Sequence, residues 1–221
     1  MPRGTTVFDH LCKQDLSNED FYGIGWQFAK REKRCRQTTG IQYSSLRADI
    51  AERQKDLMDW LTDAEEHLPV DERQQYGKTL AELGAHAYAN SDAKVSTGLD
   101  FHNLNAFYVN KTLLPFDTYS PKDSWRLAPP FLNIYRLATD VYALAGKAAY
   151  TEVLKGYFDR SETAKPQDVT ERFLVLYSAL IMVSYLYMLA RTDANKRNAA
   201  DVYIAFTRKY ACRQADFVAK L

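Results

Sequence analysis

The chain has 221 residues and a formal net charge of +1, and that balance of charge excludes nucleic acid and anionic membrane as default partners. Its length suits one well-buried core, so a single domain over residues 1–221 is expected. Nine glycines are few, which favours helix over a glycine-turned β fold, while 15 tyrosines and 11 phenylalanines supply a large aromatic core.

Phe8 to Cys12 reads as a short helix or strand. Ser17-Asn18-Glu19-Asp20 is a capping box opening a helix with Phe21, Ile24, Gly25 and Phe28 on one face. The basic run Lys30 to Arg36 closes that helix, either as a solvated end complementing the dipole or as a contact for an anion or partner. Thr38 to Ser45, with Gly40, is a loop. Ile50, Leu57, Met58, Leu61, Ala64 and Leu68 give a second amphipathic helix stopped by Pro69. Asp71 is the expected cap of a third, whose core face is Tyr76, Leu80, Leu83 and Ala87. Ala89 to Asp92 then leads into Gly98–Pro121, which reads as loop and hairpin. Ala106–Val109 and Thr112–Phe116 are strand-like, with Asn110-Lys111 as the turn.

After a proline-marked loop with Trp125, a helix on Phe131, Ile134, Leu137, Ala138, Val141 and Leu144 ends at Gly146, and Ala148–Phe158 forms another. Pro166 and Asp168 start a very apolar helix. Its Phe173–Leu189 stretch is about the minimum length for a membrane span, yet it carries Tyr177, Ser178, Ser184, Tyr185 and Tyr187, so it is read as a buried core helix. Asp193 caps the last helix, where Tyr203, Phe206, Tyr210, Phe217 and Leu221 form a core stripe. Cys12, Cys35 and Cys212 are odd in number and lack a C-x-x-C, so neither a disulfide framework nor a zinc site is indicated. Met1-Pro2-Arg3-Gly4 runs into mixed sequence without an apolar signal region, and a cytoplasmic location is expected. The fold class expected is mainly α, with one small β-hairpin around residues 106–117.

One stretch is arranged for chemistry. Asp100, His102 and Asn105 form D-x-H-x-x-N, and Asp117 follows twelve positions after Asn105. Phosphotransferases use this order: an Asp accepts the proton of the attacking hydroxyl, and an Asn and a later Asp hold the magnesium ions that bridge the nucleotide phosphates. The plain alternatives are a loop acid at Asp100, a turn residue at Asn105 and a strand end at Asp117.

The motif, the hairpin and Phe116-Asp117 ahead of a helix resemble the helical C-terminal lobe of the aminoglycoside phosphotransferase and kinase-like family. Most similar is a bacterial branch whose kinase-like domain is often joined to a P-loop domain. The resemblance implies Asp100 as catalytic base, His102 as a brace of the loop, and Asn105 and Asp117 as Mg ligands, with ATP or GTP as cofactor. Gly98-Leu99 stand where the family has His-Gly. The chain has no G-x-G-x-x-G and no Walker pattern, and too few residues precede Ser17 for an N-terminal sheet lobe. A lone lobe leaves exposed the surface its partner lobe covers, so a protein partner or homo-oligomer is expected there. Three readings follow: a pseudokinase-like, non-catalytic binding or interaction protein; an active small-molecule phosphotransferase completed by a separate or missing N-lobe; and an unrelated helical, homodimeric interaction protein.

Overall fold

The structure, a computed structural model, describes residues 4–36, 46–88, 96–97, 100–117, 127–190 and 194–219. Among these residues the chain is mainly helical, with seven α-helices, one hairpin and one short strand pair. It divides into two compact units, Met1–Ser44 with Lys94–Lys165 and Ser45–Ala93 with Pro166–Leu221. The expectations for Thr38–Ser45, Ala89–Asp92, Gly98-Leu99, Trp125, Asp193 and Leu221 fall outside the described residues.

In the first unit, α1 (Val7–Lys13) settles the Phe8–Cys12 alternative as helix. Its N-terminus is fixed by a capping box, with Asp9 N donating to Thr6 Oγ1 (3.0 Å) and Thr6 N to Asp9 Oδ2 (3.1 Å). The expected box at Ser17 opens α2 (Asn18–Arg36): Asp20 N donates to Ser17 Oγ (3.2 Å) and Ser17 N to Asp20 Oδ2 (3.0 Å). This helix meets α5 (Leu132–Ser161) backbone to backbone. A methyl at Gly25 would stand 1.9 Å from the Val153 carbonyl oxygen, and one at Gly156 would stand 2.1 Å from that of Tyr22. Neither position leaves room for a side chain.

Gly146, with a non-helical backbone (φ 87°, ψ 178°), separates α5 into two helical segments, as its sequence position predicts. The closing run of α2 departs from a simple solvated end. Glu32 is buried and accepts hydrogen bonds from Tyr157 Oη (2.5 Å) and Asn133 Nδ2 (3.2 Å), while Arg31 Nη2 donates to the Leu113 carbonyl (2.5 Å).

The first unit holds two strand pairs. Strand β1 (Ser96–Thr97) pairs antiparallel with β4 (Leu127–Ala128), a pairing too short to leave a sequence signal. The expected hairpin is β2 (Ala106–Val109) and β3 (Thr112–Pro115), turned by Asn110 and Lys111 at φ of 50° and 57°. Its edges are covered. Tyr108 N donates to Thr5 O (3.1 Å) on one side, and Leu113 N donates to Gln27 Oε1 (2.9 Å) on the other.

The second unit is α3 (Leu46–Trp60), a 3₁₀ turn (Leu61–Ala64), α4 (Val70–Ala87), α6 (Asp168–Ala190) and α7 (Ala194–Val218). The helix expected to run through Leu68 ends at Trp60 and tightens into the 3₁₀ turn, which still buries Leu61, Ala64 and Leu68. Pro69, not Asp71, is the N-cap of α4; its extended backbone (ψ 153°) starts the helix without a side-chain acceptor. Helix α6 packs against α7, α4, α3 and the 3₁₀ turn. Of its most apolar 18 residues, 78% are buried inside the protein, as a core helix requires.

On α7 the aromatic stripe is not the core face. Tyr203 is buried, but Phe206, Tyr210 and Phe217 are half-buried, and Ala199, Ala200, Ile204, Thr207, Ala211 and Gln214 face inward instead. These mostly small residues bring α7 close to its neighbours, and the aromatic rings flank the contact.

Candidate functional site

Sequence places Asp100, His102, Asn105 and Asp117 on one loop and hairpin, and the structure shows what holds that segment in shape. After Asp100 a 3₁₀ turn (Asn103–Asn105) lifts the chain into β2, closed by Asn105 N donating to His102 O (2.9 Å). The hairpin then returns the chain beside its start. Phe116 N donates to the Asn105 carbonyl (2.9 Å), so Asp117 lies next to Asn105 although it follows twelve positions later.

Asn105 is the join. Its Nδ2 donates to the backbone carbonyls of Asp100 (3.0 Å) and Asp117 (3.1 Å). Both partners are acceptors, which fixes the amide orientation and turns Oδ1 away from them. Asp117 adopts a left-handed backbone (φ 47°), which aspartate tolerates better than most residues, and its side chain is exposed. Asp100, Asn105 and Asp117 are therefore gathered by one amide.

His102 is buried, 2% exposed. Burial, reinforced by the nearby Arg136 guanidinium, pushes its pKa down to about 3, so at neutral pH the ring is uncharged. A neutral, enclosed imidazole packs the loop and carries no charge to a ligand.

Two residues that sequence periodicity did not single out complete the site. Both lie on α5, one helical turn apart. Asp140, fully buried, accepts from Asn103 Nδ2 (2.8 Å) and from Asn103 N (3.3 Å), anchoring the 3₁₀ turn to the helix. Arg136 Nη2 lies 3.0 Å from Asp100 Oδ1, with the arginine side chain 11% and the aspartate 29% exposed. Their signal was present in the sequence as two charges at i and i+4 inside the apolar run Phe131–Val141. From Leu132 to Val141 every residue except Arg136 is buried, so no polar face exists to account for them.

The donor set suits a hard cation. The Asn105 amide oxygen and the Asp117 carboxylate are ligands of the kind magnesium takes, and magnesium completes its shell with phosphate oxygens and water. Among the described residues no group of three or more His, Cys, Asp or Glu gathers to hold a metal. If a magnesium ion were held here, Asn105 and Asp117 are the residues whose oxygens would hold it.

No protein-family model matches the chain, and no curated protein matches it. Solved structures do. A glucosamine kinase in complex with glucosamine, ADP and inorganic phosphate superposes with a TM-score of 0.67 at 14% identity, over 99% of this chain and 64% of that one. Glucosamine kinase crystal forms B and A each give a TM-score of 0.63 at 14% identity, covering 93% of this chain and 59% and 56% of theirs. The chain thus spans less than two thirds of the length of these kinases, and the fold it shares with them is a mainly helical, kinase-like phosphotransferase fold.

Proposed function

We propose that this chain is a pseudokinase-like binding or interaction protein, a helical kinase-like lobe of aminoglycoside-phosphotransferase type that no longer transfers phosphoryl groups itself. The observation that carries the reading is the Arg136–Asp100 ion pair. A general base needs a carboxylate free to accept the hydroxyl proton, and a guanidinium 3.0 Å away occupies that place. Phosphoryl transfer depends on positioning and electrostatics, so an occupied base leaves little catalytic power in the remaining oxygens. Its partner is another protein or a second copy of the chain.

A second reading is favoured by the Asn105 clamp, which holds the backbones of Asp100 and Asp117 beside one another. It is an active, Mg-dependent phosphotransferase for a small hydroxylated substrate, completed by a nucleotide-covering lobe outside these residues. Transfer of the γ-phosphate of Mg–ATP to glucosamine, by the chain alone and together with a candidate nucleotide-covering lobe, tests both readings, since the neighbours' names make that sugar the first acceptor to try. The expected outcome is no transfer by this chain. Turnover that Asp100→Asn abolishes would establish the second reading instead.

A further inference from the structure

The acidic loop gives no role to the basic run that closes α2, and the first cation of that run leads to a second surface. Tyr22, Trp26 and Lys30 stand at i, i+4 and i+8, a stripe about 12 Å long on one side of α2. Lys30 Nζ lies 5.6 Å and Arg160 Cζ 5.0 Å from the centroid of the Trp26 ring, and Lys155 Nζ lies 5.4 Å from that of Tyr22. Each ring attracts its cation through the negative charge of its face. Arg160 and Lys155 come from α5, which meets α2 backbone to backbone at Gly25 and Gly156. Two helices fixed to one another thus hold three cations in set positions before any ligand arrives.

This array lacks counter-charge. The acid inside the basic run, Glu32, is turned inward to Tyr157 and Asn133, and Arg31 is turned to the Leu113 carbonyl. On the adjoining part of α5, Asp159 accepts from Tyr22 Oη (3.3 Å), and Glu152 forms no ion pair among the described residues. Among those residues Lys30, Lys155 and Arg160 have no carboxylate partner either. With 28 acidic against 29 basic residues the chain has acids enough to neutralise three cations, and here it leaves them open.

We propose that this face of α2 and α5 is a docking surface for an acidic segment of a partner protein, with Lys30, Lys155 and Arg160 receiving its carboxylates. Charge complementarity names the occupant. Nucleic acid would stack bases on open aromatic faces, whereas the rings here already carry cations. An anionic membrane would take up exposed apolar side chains, and the exposed large hydrophobics among the described residues, Val70, Leu114, Phe116, Met188 and Val202, all lie off α2 and α5. A stripe of about 12 Å matches two turns of an acidic helix or about four extended residues. The proposal takes from the interaction reading only that a protein partner exists, and it uses no residue of the acidic loop.

The test is fluorescence anisotropy of a labelled oligoglutamate of about eight residues, titrated with the full chain at low salt beside an oligoglutamine of the same length. Binding of the oligoglutamate alone is expected, weakening as salt rises. Lys30→Gln, Lys155→Gln and Arg160→Gln should each weaken it about threefold, and the triple variant at least tenfold. Removing three exposed charges from the second unit, with Lys78→Gln, Lys209→Gln and Arg213→Gln together, should cost no more than about twofold. Trp26→Leu removes no charge but takes away the ring under two cations, and should weaken binding about threefold; Trp26→Phe, which keeps a ring, should recover most of that loss.

Equal binding of the two peptides, an unchanged triple variant, or an equal loss in the second-unit variant overturns the proposal. Unchanged affinity in Trp26→Leu overturns it as well, since bulk charge would then suffice. Tighter binding of a single-stranded oligonucleotide or of phosphatidylserine vesicles would reassign the face, as would self-association that the triple variant abolishes. Phosphoryl transfer to glucosamine would remove the non-catalytic reading and leave this surface standing, and equal binding of the two peptides would do the reverse.

Discussion

The two units of the chain place their buried polar groups differently. The second is centred on α6, which is buried without interruption from Phe173 to Ser184, and its polar exceptions there are hydroxyls. Away from α6 it does enclose charge, with Arg53 5% and the Arg73 side chain 11% exposed, while Arg208 and Glu72 (3.0 Å) and Arg172 and Asp168 (2.7 Å) pair toward the surface. The first unit buries Glu32, His102, Asn103 and Asp140 and nearly buries Arg136. Enclosing such groups is unfavourable unless each has a partner, so a region that keeps them is organised around position rather than stability. In the first unit these groups cluster against α5, through Asn133, Asp140 and Tyr157, beside the acidic loop. That unit's backbones also approach more closely, with Gly25 and Gly156 at the crossing of α2 and α5.

Substitution at that crossing should produce the largest effect. Gly156→Ala or Gly25→Ala places a methyl about 2 Å from a backbone carbonyl oxygen that belongs to a helix and cannot rotate away. Separation of the helices would undo the Phe28 contacts with Phe101 and Tyr157 at 4.8 and 6.1 Å. A loss of about 4 kcal/mol or more is expected, read as a shift in urea midpoint or as failure to fold. A loss below about 1 kcal/mol would show that the crossing is looser than described.

Next is acid sensitivity, which should originate in the first unit. His102 has a folded pKa of about 3 against an ordinary value of 6.5. Because the folded value is depressed, its contribution is fully present above pH 6.5. It declines as pH falls toward 3, since the unfolded chain takes up a proton that the native ring refuses. Between pH 6.5 and pH 5 the loss should be about 2 kcal/mol from this group. His102→Gln should flatten that part of the stability profile, whatever it does to stability at pH 7. An unchanged slope in the variant would assign the acid sensitivity elsewhere.

Much of this was legible beforehand and some was not, for separable reasons. The Ser17 box, the hairpin register around Asn110-Lys111 and the break at Gly146 are local, and each follows from residue chemistry within a few positions. The α4 core face of Tyr76, Leu80, Leu83 and Ala87 followed from periodicity. The aromatic stripe of α7 misled, because ring size signals apolarity while close packing selects Ala200, Thr207 and Ala211. Glu32 was hidden inside a basic run, its burial depending on Tyr157 and Asn133 more than a hundred positions away. Arg136 and Asp140 were missed because an amphipathic reading looks for one apolar face, and the first half of α5 has none to find.

A smaller effect is expected at the join of the site. Asn105→Ala removes the donor to both the Asp100 and Asp117 carbonyls, at 3.0 and 3.1 Å. Asn105 is 9% exposed, so water replaces it only partly, and about 2 kcal/mol should be lost. Asn105→Asp should lose more, since a carboxylate has no proton for either carbonyl and adds a third negative charge beside Asp100 and Asp117.

The smallest effect is the sharpest check on the contrast between the units. Gly77 lies inside α4, and the nearest atoms to a methyl there are Sδ and Cε of Met58, both at 3.1 Å, then its Cγ at 3.8 Å. Those atoms end a flexible chain with three rotatable bonds, so Met58 can yield by a few tenths of an ångström. Alanine is also the better helix former by about 1 kcal/mol. Gly77→Ala should therefore be neutral or stabilising by up to about 1 kcal/mol, the opposite sign to the same substitution at Gly156. If both variants are strongly destabilised, backbone proximity does not distinguish the units, and close glycine packing is a property of the whole chain rather than of the unit that carries the site.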